Sequence, residues 1–183
     1  IARAAFEYAR KHGRKTITAV HKANIMKLGD GLFLDRVHGI AQEYPDIKYE
    51  QAIIDALCMR LVKDPSEFDV MVMENLYGDI VSDLCAGLVG GLGVVPGANI
   101  GDEVAVFEAV HGSAPDIAGQ GVANPLGLIK SSVLMLEHLG ELSAAERLGE
   151  AIDTGLRSGD ALTRDLGGTA NTDDVANAII KAL

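Results

Sequence analysis

Asp79 and Asp83 stand four residues apart in "NLYGDIVSDLCAGL", a segment otherwise small and apolar. Residues four apart share one helix face, and two carboxylates there repel by roughly a few tenths of a kcal/mol. A divalent cation removes the repulsion. Mg²⁺ and Mn²⁺ prefer oxygen ligands and often take only two or three from protein. A third acid, Asp55, is an isolated charge in "AIIDALCMRL". The structural alternative is that Asp79 caps a helix and Asp83 is solvated. Lys22, in "VHKANIMK", directly follows a β-branched run, where α/β proteins usually place ligand-contacting groups. A lysine there binds an anionic substrate or, if desolvated, exchanges a proton; otherwise it is a surface lysine. A third cluster is "HGSAPDIAG", residues 111–119. Backbone N–H groups of a Gly-containing turn suit a phosphate or pyrophosphate. Asp116 suits the hydroxyls of a ribose and repels a 2′-phosphate, which favours NAD over NADP.

The elements that must position these groups alternate in type. "IARAAFEYARKHG" reads as a helix with a stripe of Ile1, Ala4, Ala5, Tyr8 and Ala9, stopped by Gly13. It has neither an initiator Met nor a cap residue before it, so the chain is expected to be a piece of something longer. A strand is expected over 15–20. A helix follows with a stripe of Leu32, Phe33, Val37, Ile40 and Ala41, stopped by Pro45. "IKYEQ" reads as a short strand and "QAIIDALCMRLVKDP" as an amphipathic helix. Residues 68–74 are almost wholly apolar, the pattern of a strand buried on both faces. Helix is expected through "LYGDIVSDLCAGL", strand over 104–110, and loop through "HGSAPDIAGQGVANP". Helices follow over roughly 125–139 and 142–157, then a loop, "TRDLGGTAN", and a final helix capped by Thr172. The alternation is that of an α/β protein. No GxGxxG fingerprint is present, so a standard Rossmann fold has no support.

Composition narrows the function classes. With 183 residues, 48% of them hydrophobic, the chain supports a packed core. Its 16 Lys and Arg against 26 Asp and Glu give a net charge of −10, which argues against nucleic-acid binding. No apolar run is long enough to span a membrane. Cys58 and Cys85 lie in apolar helical patterns and read as buried free thiols, consistent with a reducing compartment.

Taken together, "HKANIMK", "FDVMVMENLYGDIVSDLCAGLVGGLG" and "VFEAVHGSAPDIAGQGVANP" resemble the β-decarboxylating dehydrogenases, the isocitrate, homoisocitrate and isopropylmalate enzymes. The likeness covers essentially the whole chain and is nearest to the NAD-dependent isocitrate enzymes. The resemblance implies a two-domain, non-Rossmann α/β fold of which only the C-terminal half is present. Residues 1–89 would be part of the small, dimer-forming domain and 90–183 part of the large, cofactor-binding one. It implies Lys22 as the catalytic lysine, lent to the neighbouring subunit's site, and Asn24 near substrate and nicotinamide. It implies Asp55, Asp79 and Asp83 as ligands of Mg²⁺ or Mn²⁺, with Asp55 supplied by the partner subunit. His111, Gly112, Ser113, Ala114, Asp116, Ile117 and Asn124 would form the adenosine side of an NAD site; NADP-using relatives often carry Lys and Tyr where this chain has Asp116 and Ile117. The absent half would hold the substrate-binding arginines and a catalytic tyrosine. The partners implied are a 2-hydroxy tricarboxylate substrate and a second subunit in a homodimer with shared active sites. The compartment would be the cytoplasm, or the mitochondrial matrix in a eukaryote. Homoisocitrate and 3-isopropylmalate remain alternative substrates. A non-catalytic regulatory subunit of a hetero-oligomeric isocitrate dehydrogenase and a stand-alone binding domain are the alternatives of another class.

Overall fold

Strand β1 (Thr16–His21) lies at the centre of a three-stranded parallel sheet in the computed structural model, which describes residues 1–183. Strand β2 (Lys48–Ile53) pairs on one side, Thr16 opposite Lys48 through His21 opposite Ile53. Strand β3 (Val70–Val72) pairs on the other, Ile17 opposite Val70 and Ala19 opposite Val72. Parallel strands need crossover connections. Helix α2 (Gly29–Ala41) lies between β1 and β2, and helix α3 (Ile54–Lys63) between β2 and β3. Helix α1 (Ala2–Lys11) precedes β1, and helix α4 (Asn75–Val89) follows β3.

Side chains alternate across β1 and bury on both of its faces. Ile17 and Ala19 pack with Phe6 and Ala9 of α1, Val37 of α2, and Tyr44, Ile47 and Val72. Val20 points the other way, into Ala52, Leu57, Leu61 and Val81. Strand β1 is therefore buried on both faces along most of its length. Segment 68–74 also packs on both faces, Val70 and Val72 on the Ile17 side and Phe68, Met71 and Met73 on the Val20 side, but as a short, only partly buried strand beside central β1. Helix α1 buries Phe6 and Ala9, while Tyr8 turns outward, its ring tilted against that of His12. In α2, Val37 is buried and Leu32 is exposed. Cys58 and Cys85 are free and only half-buried; burial, with Cys58 nearby, pushes the Cys85 thiol up.

Thr18 interrupts this core. It is 2% exposed, and its hydroxyl has no hydrogen-bond partner. A buried hydroxyl without a partner costs about 1–3 kcal/mol. Thr18→Val keeps the shape and removes the polar atom. In the full-length protein it raises stability by about 1 kcal/mol, read as a higher denaturation midpoint; an unchanged or lower midpoint contradicts the unsatisfied hydroxyl.

The chain divides into two compact units, Ile1–Cys85 and Ala86–Leu183, the division falling inside α4. The second unit holds an antiparallel pair, β4 (Pro96–Ile100) and β5 (Ala105–Ala109), and helices α5 (Leu126–His138), α6 (Leu142–Ser158) and α7 (Thr172–Ala182). Strand β4 has no clear signal in the sequence, because Pro96 and Gly97 are poor strand residues. It survives because Pro96 is the strand's first residue and because buried Ser131 of α5 holds it. Ser131 Oγ accepts the Gly97 N–H at 3.1 Å and lies 2.7 Å from the Glu108 carbonyl. The core joins Val94, Leu126, Ala151, Ile152, Val175 and Ile179. The cap of α7 is Asn171, one residue before the expected Thr172. Asn171 and Asp174 exchange side chain-to-backbone bonds at 2.9 and 3.0 Å in a capping box. The Thr172 hydroxyl is engaged elsewhere, donating to the Ala123 carbonyl at 2.6 Å.

Candidate active site and cofactor cleft

Each residue of the first cluster follows the carboxyl end of a parallel strand along the chain, the end at which open α/β sheets bind ligands. Lys22 is the residue after β1, Asp55 stands in the first turn of α3 after β2, and Asp79 and Asp83 lie on α4 after β3. Lys22 Nζ forms an ion pair with Asp55 Oδ1. The lysine side chain is 27% exposed and the aspartate 69%. The hydrogen bond from Lys22, helped by a backbone N–H, holds the Asp55 carboxyl below the usual carboxylate range. The lysine's carbonyl accepts the N–H groups of Ile25 and Met26 at 2.9 and 2.8 Å, closing a tight turn that carries Asn24 at the surface.

Asp79 and Asp83 are exposed one turn apart on α4. The helix begins at Asn75, so Asp79 is inside it and does not cap it. Neither carboxylate takes part in any of the chain's ion pairs. The chain does not gather three acidic, His or Cys side chains at one point. Asp55 thus pairs with Lys22 and does not join Asp79 and Asp83 within one chain. Two unpaired hard-oxygen donors on one face fit a cation of the Mg²⁺ type, which keeps several waters and needs few protein ligands.

The second cluster lines a cleft of about 760 Å³ in the second unit. His111, Gly112, Ser113, Ala114, Ile117 and Asn124 all face it. Asp116 is exposed in the short 3₁₀ turn Pro115–Ile117 and is not among the lining residues. Ala114 enters that turn with φ 43° and ψ 61°, a left-handed conformation that costs a non-glycine residue about 1–2 kcal/mol. Such strain is held only where the surroundings enforce it, which marks this turn as a candidate ligand clamp.

The loop's far end is pinned. Asn124 is buried; its Oδ1 accepts the Leu126 N–H at 3.0 Å and its Nδ2 donates to Asp165 at 2.8 Å. Burial opposes the charge of Asp165, yet the hydrogen bond from Asn124 and local backbone N–H groups outweigh it and hold the carboxyl below its usual range. With that sign, the anchor is complete above the ordinary carboxylate pKa and is lost only as pH falls through the lower value. Thr172 adds a second pin, its N–H reaching the Gly121 carbonyl at 2.8 Å. Arg164 and Asp165 both line the cleft and were not expected from the sequence. Their only local signal is a charged pair in a Gly-containing loop, and nothing nearby in the sequence ties it to His111.

Residues 1–179 match the isocitrate/isopropylmalate dehydrogenase family. The chain belongs to that family. Among curated members it is 53% identical to the mitochondrial isocitrate dehydrogenase (NAD) subunit alpha of Homo sapiens, over 99% of this chain and 50% of that protein. It is 55% identical to the mitochondrial isocitrate dehydrogenase (NAD) catalytic subunit 6 of Arabidopsis thaliana, over 98% of this chain and 48% of that protein. The crystal structure of isocitrate dehydrogenase from Methylococcus capsulatus superposes with a TM-score of 0.95 at 51% identity, covering 99% of this chain and 54% of that one. The chain spans about half the length of the family members it matches. No helix is long and apolar enough to cross a membrane.

Proposed function

We propose that this chain carries the C-terminal half of an NAD-dependent isocitrate dehydrogenase, which oxidises and decarboxylates isocitrate to 2-oxoglutarate. The reaction moves a hydride from C2 of the substrate to NAD and releases CO₂ from the β-keto acid so formed. The observation that carries the reading is the Lys22–Asp55 ion pair at the carboxyl ends of the adjacent parallel strands β1 and β2, in a family member more than half identical to NAD-dependent isocitrate dehydrogenase subunits.

In this reading Asp79 and Asp83 hold Mg²⁺ or Mn²⁺, with an Asp55 contributed by the neighbouring subunit. The cation, when bound, supplies Lewis acidity for the negative charge that develops on the C2 oxygen. Lys22 handles proton transfer through Nζ, oriented by its ion pair with Asp55. Asn24, in the same turn, contacts substrate and nicotinamide. The strained 111–117 turn and Asn124 hold the adenosine side of NAD, with Asp116 accepting from the ribose hydroxyls. We assign the first unit to the small domain and the second to the large one.

Lys22 and Asp55 occur as a pair on one chain, which suits their joint delivery to a neighbour's site, so the active form is at least a dimer. Relatives named as subunits favour a partner from the same family, either a second copy or a sister subunit. We place the enzyme in the cytoplasm, or in the mitochondrial matrix if the source is a eukaryote. Retention of all three metal acids and of the 111–117 turn favours a catalytic over a regulatory subunit.

The test is an activity screen of the full-length protein with Mn²⁺, using isocitrate, homoisocitrate and 3-isopropylmalate, each with NAD and NADP. Turnover of isocitrate with NAD is expected to dominate; turnover of 3-isopropylmalate alone, or none at all, refutes the proposal. A companion variant, Asp116→Lys with Ile117→Tyr, is expected to lower kcat/KM with NAD about 10- to 100-fold, the worth of one or two charge-assisted hydrogen bonds. The same variant raises activity with NADP. An unchanged cofactor ratio removes the cofactor role of these two positions.

A further inference from the structure

Lys22 is held at both ends by carboxylates. Asp55 takes its ammonium, and Asp30 takes its backbone: the Lys22 N–H donates to Asp30 Oδ2 at 2.5 Å. Asp30 is 7% exposed, although aspartates are rarely buried without a partner that needs them. It sits in the first turn of α2, where the helix dipole favours a negative charge. An acid there ordinarily caps its own helix. The N-cap residue of α2 is Leu28, which makes no side-chain cap, and the Asp30 carboxylate reaches back to Lys22.

The segment between them closes on itself. The Asp30 N–H donates to the Met26 carbonyl at 3.0 Å, and the Met26 N–H donates to the Lys22 carbonyl at 2.8 Å. On the strand side, the Ala23 N–H donates to Nδ1 of buried His21 at 3.0 Å. The turn that presents the lysine is therefore fixed by one strand-end imidazole and one buried carboxylate. From α4, Tyr77 also faces Asp30: burial first, then its interaction with that carboxylate, raises the Tyr77 phenol above its usual value.

We infer that Asp30 is a positioning residue for Lys22, its buried carboxylate setting the path of the backbone from which the lysine reaches the reacting atoms. The inference rests on the catalytic role proposed for Lys22. Removing the acceptor frees the turn without deleting the lysine, and misplacement of a catalytic group by about 1 Å costs on the order of 100-fold in rate.

The test uses Asp30→Asn and Asp30→Ala in the full-length protein, with Lys22→Met beside them. The readouts are kcat, the NADH dissociation constant by fluorescence titration, the thermal midpoint, and amide exchange over residues 22–30. Asp30→Ala is expected to lower kcat about 10- to 100-fold, and Asp30→Asn less, because its amide oxygen still accepts. NADH affinity stays within about twofold while exchange at Lys22 rises. An unchanged kcat overturns the inference. So does a fall in kcat that travels with lost NADH affinity, or a failure of both variants to fold, since each assigns Asp30 to general stability. If Lys22→Met keeps full turnover, the catalytic reading of the lysine fails first; if Lys22→Met is crippled and the Asp30 variants are not, only the positioning role fails.

Discussion

Asp79→Asn in the full-length protein lowers turnover by about two to three orders of magnitude, the usual loss when one principal stabiliser of transition-state charge is removed. It also raises the Mn²⁺ concentration needed for half-maximal rate. The substitution keeps the shape of the side chain and its place on α4, one turn from Asp83 on the exposed face. It replaces an anionic oxygen donor with a neutral amide, and hard divalent cations discriminate strongly between the two. Because Asp79 is exposed and forms no ion pair, the fold loses little, and the thermal midpoint measured without metal stays near that of the parent. Unchanged kinetics at limiting Mn²⁺ would falsify the metal assignment of the pair.

Lys22→Met removes the ammonium and keeps most of the stem, and it lowers kcat by about 10²- to 10⁴-fold, the range for a lost general acid or base. NADH binding is expected to be spared, because the cleft proposed to receive the adenosine is lined wholly by residues 93–165. The variant has a second, independent signature at Asp55. With Lys22 present, the Asp55 carboxyl titrates below the usual range, so the ion pair persists above the ordinary carboxylate pKa and is lost only as pH falls through the lowered value. Without Lys22 the titration moves back up. Carboxyl carbon NMR of labelled aspartate separates the two cases. An Asp55 signal indifferent to the substitution contradicts the pairing, whatever the kinetics show.

Much of this site is legible in the sequence because its chemistry is local. Two acids four apart mark one face of α4, and a lysine after a β-branched run marks a strand end; both placements follow from helix and strand periodicity alone. Long-range pairing is where the sequence falls short. Nothing near Lys22 says that it will meet Asp55, since the contact depends on β1 and β2 lying side by side. The same limit hides Asp165, whose partner Asn124 is 41 residues away. Over 68–74 the apolar content correctly marks a strand packed on both faces, but only topology shows that β1 is the central and more deeply buried one. The cap of α7 lies one residue before the expected Thr172 for a physical reason, as Asn171 and Thr172 are both good caps and the hydroxyl is diverted to Ala123. Phe6, the fully buried anchor of α1, lies outside the expected stripe, because the stripe through Ala5 and Tyr8 fits the helical period on the neighbouring face.

The central position of β1 also sets an order of events during synthesis. Its strand neighbours both come later in the chain, β3 about fifty residues after it. At ribosomal rates of about 5–20 residues per second, β1 waits several seconds with at least one edge unpaired. "TITAVH" is the most deeply buried stretch of the sheet once folded and, for that interval, an apolar template open to pairing with another nascent chain. Its one buried hydroxyl, Thr18, is the polar interruption in that run, so a substitution that steadies the finished protein also makes the waiting strand more prone to aggregate.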